Sequence, residues 1–173
     1  MDREVMLREG DWSMMKIDNM PVVCPLPICT EDARYWKALY IWLFTTRRWV
    51  LEEDWEYKLN SWVSIYIPKG FIFDGASVPR IFWFLFSPIG ILFIPGLVHD
   101  FAYKYTYVYL KIGIKGKLVE HRGESRDYWD RIFKTIAIRV NGFKLINQAA
   151  YLVLKGFGWV AWNNHRRNDD VEA

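Results

Sequence analysis

Apolar and polar positions change their spacing several times along this chain, and each change predicts a different element. Residues 1 to 36 mix charge, Met and Pro without a sustained period, which predicts an extended N-terminal arm with room for one strand. From Lys37 the pattern becomes β-like. Lys37 to Thr46 and Trp49 to Leu59 are rich in aromatic and branched residues and join at Thr46-Arg47-Arg48, while Trp62 to Ile67 alternates Trp62, Ser64 and Tyr66 against Val63, Ile65 and Ile67. Three antiparallel strands in meander order are expected. Pro68-Lys69-Gly70 ends that sheet, and Phe71 to Arg80 forms a compact loop, FIFDGASVPR, with Asp74-Gly75 as its tightest turn.

An uncharged run of 18 residues follows, Ile81 to Val98, and it ends in His99-Asp100. Its length reaches the minimum for a membrane span, but Ser87-Pro88, Gly90 and Pro95-Gly96 break a continuous helix. A buried loop-and-helix segment is therefore expected, with shallow insertion into a lipid interface as the alternative. Leu97, Val98, Phe101 and Tyr105 define one face of the helix that follows. At 100° per residue His99 and Tyr103 fall together on the opposite side, one turn apart, with Asp100 between the faces.

Tyr107 to Ile112 and Lys117 to His121 predict a hairpin turning at Gly113 to Gly116. Ser125 then caps a helix from Arg126 to about Val140, whose stripe is Trp129, Ile132, Phe133, Ile136, Ala137 and Val140 and whose stop is Asn141-Gly142. Asp127 lies roughly 150° from the centre of that stripe and Asp130 roughly 90°, so Asp127 should be solvated while Asp130 faces a neighbouring helix. A last apolar helix, Phe143 to Leu154, leads to Gly156, Trp159 and Trp162, and the tail from His165 is polar. The expected organisation is an arm over residues 1–36, one α+β domain over 37–163 and a polar tail over 164–173. In that domain an N-terminal antiparallel β-meander packs on a C-terminal group of three or four helices.

Composition narrows the function. A chain of 173 residues that is 52% hydrophobic and 18% aromatic fills a single core, and its ten Trp suit that core first and an interface with lipid or protein second. A net charge of +3 from scattered Lys and Arg gives no basic stripe, so nucleic acid is not an expected partner. The first residues, with Asp2, Arg3, Glu4, Arg8, Glu9 and Asp11, have no apolar core of a secretory signal, which leads to the expectation of a cytosolic protein or one carried in a virion. Cys24 and Cys29 are too few for a zinc site or a disulfide framework and are read as reduced thiols.

The chemistry concentrates in His99-Asp100-x-x-Tyr103 on one helix and Asp130 on the next. An imidazole whose second nitrogen is held by a carboxylate is an oriented general base for water, and Tyr103 can bond that same carboxylate. Asp100, pointing another way, is free to hold a divalent, calcium-like cation with backbone carbonyls. The competing reading is a buried His–Asp–Tyr network that only ties two helices together. Asp74 and Arg80 either close the compact loop as an ion pair or line the His99 pocket. Ser77 as a nucleophile lacks the usual strand-turn-helix elbow, so it caps the loop backbone. The run Glu52, Glu53, Asp54, Glu56 reads as a solvated strand or turn face.

The string Gly70-Phe71-Ile72-Phe73-Asp74-Gly75-Ala76-Ser77-Val78-Pro79-Arg80, then His99-Asp100-x-x-Tyr103, then Arg126-x-x-x-Asp130-x-x-Phe133, resembles the phage- and prophage-associated family called domain of unknown function 1353. Its pattern is GFxTDxASVPR, HDxxY and RxxxDxxF, and the resemblance spans roughly residues 37 to 160. It implies a phage setting and no particular reaction.

The HDxxY helix followed by a helix bearing Asp also resembles secreted phospholipase A₂. That likeness implies His99 as the water-activating base, Asp100 as a calcium ligand, and Tyr103 and Asp130 as holders of His99. The departures are the missing disulfide cysteines beside the His and the missing Gly-rich calcium loop; FDGAS substitutes only if Asp74 or carbonyls near Gly75 reach the metal. Phosphohydrolases of the HD type need an earlier His, and none precedes His99. Two functions follow as expectations. One is a metal-assisted hydrolase of an ester, with phospholipid as the substrate and membrane surface as the partner. The other is a non-enzymatic protein that contacts virion or host proteins.

Overall fold

In the computed structural model, which describes residues 20–28, 34–44, 48–73, 90–123 and 125–169, the chain runs β1 (Val23–Pro25), α1 (Tyr35–Phe44), β2 (Trp49–Leu51), β3 (Trp55–Lys58), β4 (Val63–Ile67), β5 (Ile72–Phe73), α2 (Phe93–Tyr105), β6 (Tyr107–Ile112), β7 (Lys117–Arg122), α3 (Arg126–Asn141) and α4 (Lys144–Asp169). The class is α+β. Two antiparallel sheets form, one ordered β1-β2-β5 and the other β3-β4-β6-β7.

The alternation at residues 63 to 67 does what the pattern requires: Val63, Ile65 and Ile67 are buried, and Ser64 and Tyr66 lie on the outer face. Other strand expectations are corrected. Tyr35–Phe44 is a helix where Lys37 to Thr46 reads as a strand, because an unbroken apolar run has no period to separate the two, and Ala38, Leu39 and Leu43 favour the helix. Trp49 to Leu59 is two strands in different sheets. The chain breaks at Glu52-Glu53-Asp54, where Asp54 Oδ1 accepts a hydrogen bond from the Lys69 backbone N–H at 2.8 Å and so fastens the Pro68-Lys69-Gly70 turn. Glu56 lies on the outer sheet face, where it pairs with Lys111 and accepts from Ser64 Oγ at 3.3 Å. The meander is therefore not consecutive. β4 pairs with β3 on one side, through Trp55↔Ile67 and Tyr57↔Ile65, and with β6 on the other.

The expected hairpin is present as β6–β7, paired from Tyr107↔Arg122 to Ile112↔Lys117. Its turn needs left-handed backbone at Gly113 and Gly116, with φ of 71° and 63°. Asn60 shapes the β3–β4 turn by accepting from the backbone N–H of Trp62 at 2.8 Å and of Val63 at 2.9 Å.

Helix α2 begins at Phe93 and takes Pro95 into its first turn, where a missing N–H costs nothing. Leu92 to Val98 are buried, which overturns the reading of that part of the apolar run as a lipid-docking surface; residues 81–89 lie outside the described residues. Around α2 the aromatic core closes, with Phe71 edge-on to Phe101 at 4.9 Å and Phe73 tilted on Phe93 at 5.6 Å between ring centres. Ser125 Oγ caps α3 by accepting from the Tyr128 N–H at 3.3 Å, and Gly142, at φ 70°, ends it.

Helix α4 continues to Asp169, well past the expected end at Leu154. Gly156 and Gly158 together weaken it by about 2 kcal/mol relative to Ala, but packing against α2 and α3 sustains the helix. Among the described residues no helix is long and apolar enough to cross a membrane. Cys24 is an exposed free thiol, and Cys29 lies outside the described residues.

Candidate functional site: a buried His–Asp–Tyr cluster

Helix α2 is buried on both sides. Leu97, Val98 and Phe101 enter the core, and His99 and Tyr103, four residues apart, share the other face, their ring centres 3.9 Å from each other. Helix α3 packs there and delivers Asp130, whose residue is 0% exposed. A buried carboxylate requires donors, and it receives two on one atom. His99 Nε2 lies 3.0 Å from Asp130 Oδ1, and the Tyr103 hydroxyl donates to the same oxygen.

An ionised carboxylate only accepts, so the shared proton belongs to Nε2, which fixes the tautomer of the neutral ring. The other ring nitrogen, Nδ1, faces Asp100 Oδ1 at 3.9 Å, too long for a hydrogen bond but close enough for charge attraction. Burial by itself pushes the pKa of His99 down. The charges of Asp100 and Asp130, with the hydrogen bond to Asp130, together outweigh it, and the pKa is held above the ordinary histidine value. Burial and the bond to Asp130 push the Tyr103 hydroxyl far above the ordinary tyrosine value, so it stays a donor at physiological pH.

The surroundings lock this geometry. Phe133, one turn after Asp130 on α3, meets the His99 ring edge-on at 5.4 Å, and Trp162 of α4 meets Tyr103 edge-on at 5.0 Å. Gly158 of α4 is buried against Tyr103; a Cβ built there would sit 2.9 Å from the Tyr103 hydroxyl. Arg126, expected to line a pocket or loop, is in the first turn of α3. Its Nε is 3.8 Å from Asp130 Oδ2, and its guanidinium donates to the Lys155 backbone carbonyl at 3.3 Å, joining α3 to α4. Asp130 Oδ2 has no hydrogen-bond partner among the described residues.

The structure thus brings His99, Asp100, Tyr103, Asp130 and Arg126 together. Asp74, Gly75, Ser77 and Arg80 lie outside the described residues. Sequence reasoning overlooked Gly158 and Trp162, which contribute from a third helix. The spacing Gly156-x-Gly158 in an otherwise apolar helix was the one signal that another group approaches closely there.

A hard divalent cation takes six to eight oxygen ligands. Among the described residues no group of three or more His, Cys, Asp or Glu side chains converges to hold a metal, and Asp100 beside His99 supplies one carboxylate. The described residues do not by themselves make up a calcium donor set.

These features define an α+β protein built around a buried His–Asp–Tyr cluster between two packed helices. Residues 49–153 match the family described as protein of unknown function (DUF1353), and the chain belongs to that family. Neither the curated proteins nor the solved structures yield a match.

Proposed function

We propose that this protein hydrolyses an ester, with a lipid ester as the substrate class, and that His99 is its general base. One observation carries the reading: Asp130 holds Nε2 at 3.0 Å, which orients the ring and leaves Nδ1 to take a proton from water. In that step the water proton moves to Nδ1 while the water oxygen bonds to the ester carbonyl carbon. Collapse then expels the alkoxide, which takes the proton back from Nδ1. Asp130 and Asp100, on opposite sides of the ring, stabilise the imidazolium in between. Tyr103 holds the Asp130 carboxylate in place and is a positioning residue. Asp100, whose side chain keeps 16% exposure, marks the side from which water reaches the ring. A phage setting, with the protein in the host cytoplasm or in the virion, belongs to the same proposal.

A second reading has its own observation. His99 is only 6% exposed, while Tyr35 and Trp36 of α1 are largely solvent-facing. A sealed cluster and an exposed aromatic surface suit a non-enzymatic protein that binds virion or host proteins.

The two are separated by assaying purified protein on phospholipid, lysolipid and simple ester panels, beside a His99→Gln variant shown by circular dichroism to be folded. Hydrolysis by the parent and its loss in His99→Gln supports the enzyme. Folded parent protein that is inert on every panel overturns it in favour of the interaction protein.

A further inference from the structure

Helix α4 has one face that the fold uses and one that it leaves in water. Asn147, Ala150 and Gly158 are buried, and α4 packs on α2 and α3. On another side Leu145 is 88% exposed, Leu152 56% and Trp159 55%, with Val153 beside Leu152 at 50%. The first three recur every seven residues, so they form a nearly straight line along the helix. Lys144 and Lys155, both exposed, are eleven residues apart and run along the border of that line. From Lys144 to Asn168 the sequence contains no acidic residue.

We propose that this face of α4 docks on an anionic lipid surface, with the helix lying in the plane of the interface. The apolar line supplies buried area, Trp159 suits the boundary between acyl chains and headgroups, and the lysines reach anionic headgroups from the border. Charge complementarity selects this occupant over a second copy of the chain. Pairing two α4 helices through the line would bring lysines together with no acidic partner between Lys144 and Asn168 on either helix. The apolar residues Leu92 to Val98 do not compete for this role, since they are core. The inference is independent of any reaction at His99.

The test is vesicle flotation of the full chain with phosphatidylcholine alone and with phosphatidylcholine mixed with phosphatidylglycerol. Binding should favour the anionic vesicles and fall as salt rises. Leu152→Glu and Trp159→Glu should each weaken it about tenfold or more, and Lys155→Glu about fivefold or more. Ile114→Glu, at an even more exposed apolar residue on the β6–β7 turn, should leave it unchanged. Lys155→Glu and the salt series decide the question should Leu152→Glu or Trp159→Glu fail to fold. Three results would each overturn the proposal: no binding to either vesicle, binding that ignores lipid charge and the α4 variants, or a dimer in sedimentation that Leu152→Glu dissociates, which would mean that a second copy covers this face.

Discussion

His99 and Tyr103, one turn apart on α2, direct their donors to the same oxygen of Asp130, with His99 Nε2 at 3.0 Å. Removing one donor leaves the other, whereas removing the acceptor strands both. Tyr103→Phe should therefore cost about 1.5 to 3 kcal/mol, the usual range for a hydrogen bond to a charged group. Asp130→Ala should cost about 3 to 5 kcal/mol, because it leaves buried donors unpaired. Urea titration of both variants checks the order, and equal losses would contradict the shared acceptor.

Asp130 and Asp127 sit on the same helix in different surroundings. Asp127 is substantially exposed and pairs with Arg131 one turn on, a contact of the kind that contributes about 0.3 to 0.5 kcal/mol. Asp127→Ala should barely move the thermal midpoint, while His99→Ala, which leaves the buried Asp130 carboxylate short of a donor, should lower stability by about 1 to 3 kcal/mol. Equal and negligible shifts would show that His99 does not support the fold.

Two glycines of α4 offer a contrast at constant chemistry. Gly156 is exposed with nothing near a built Cβ, so Gly156→Ala should stabilise the protein by about 0.8 to 1 kcal/mol. Gly158→Ala would bring a methyl against the Tyr103 hydroxyl, and the helix gain should be cancelled or reversed as Tyr103 is pushed from Asp130. Thermal melts of the pair read this directly, and a full gain at both positions would mean that Tyr103 yields freely.

The titration of His99 sets a pH dependence with a definite sign. Its folded pKa is raised, so protonation favours the folded state. That contribution is complete below the unfolded value of about 6.5 and is lost as pH rises through the folded value. Stability measured in urea should decline across that window, and the decline should shrink in His99→Gln. Asp100→Asn removes one of the two carboxylates that raise the pKa, so the His99 ring resonances in NMR should titrate at lower pH. A general base works deprotonated, so hydrolysis should rise with pH through the same window.

The helix pair and its contact were legible because they depend on short-range rules. The α3 cap at Ser125, the stop at Gly142 and the apolar stripe place Asp130 on the border of a buried face, and four-residue spacing puts His99 beside Tyr103. The β6–β7 hairpin was legible for a similar reason, since Gly113 and Gly116 mark its turn. Strand identity before residue 62 was not. Continuous aromatic and branched stretches satisfy a helix and a strand equally, and in α1 the helix propensity of Ala38, Leu39 and Leu43 goes with the helix.

By itself the sequence determined the α+β class, the capped helix α3, the family motifs and the set of side chains able to meet in the His99 cluster, all through periodicity and turn chemistry acting over a few residues. Only the tertiary structure decided that β2 and β3 part into different sheets, that α4 runs on through Gly156 and Gly158 to contribute Trp162, and that Leu92 to Val98 are core while a line on α4 stays in water. The physical reason is that burial depends on which elements compete for one interior, and strand pairing and helix packing join residues too far apart in the chain for a local pattern to record.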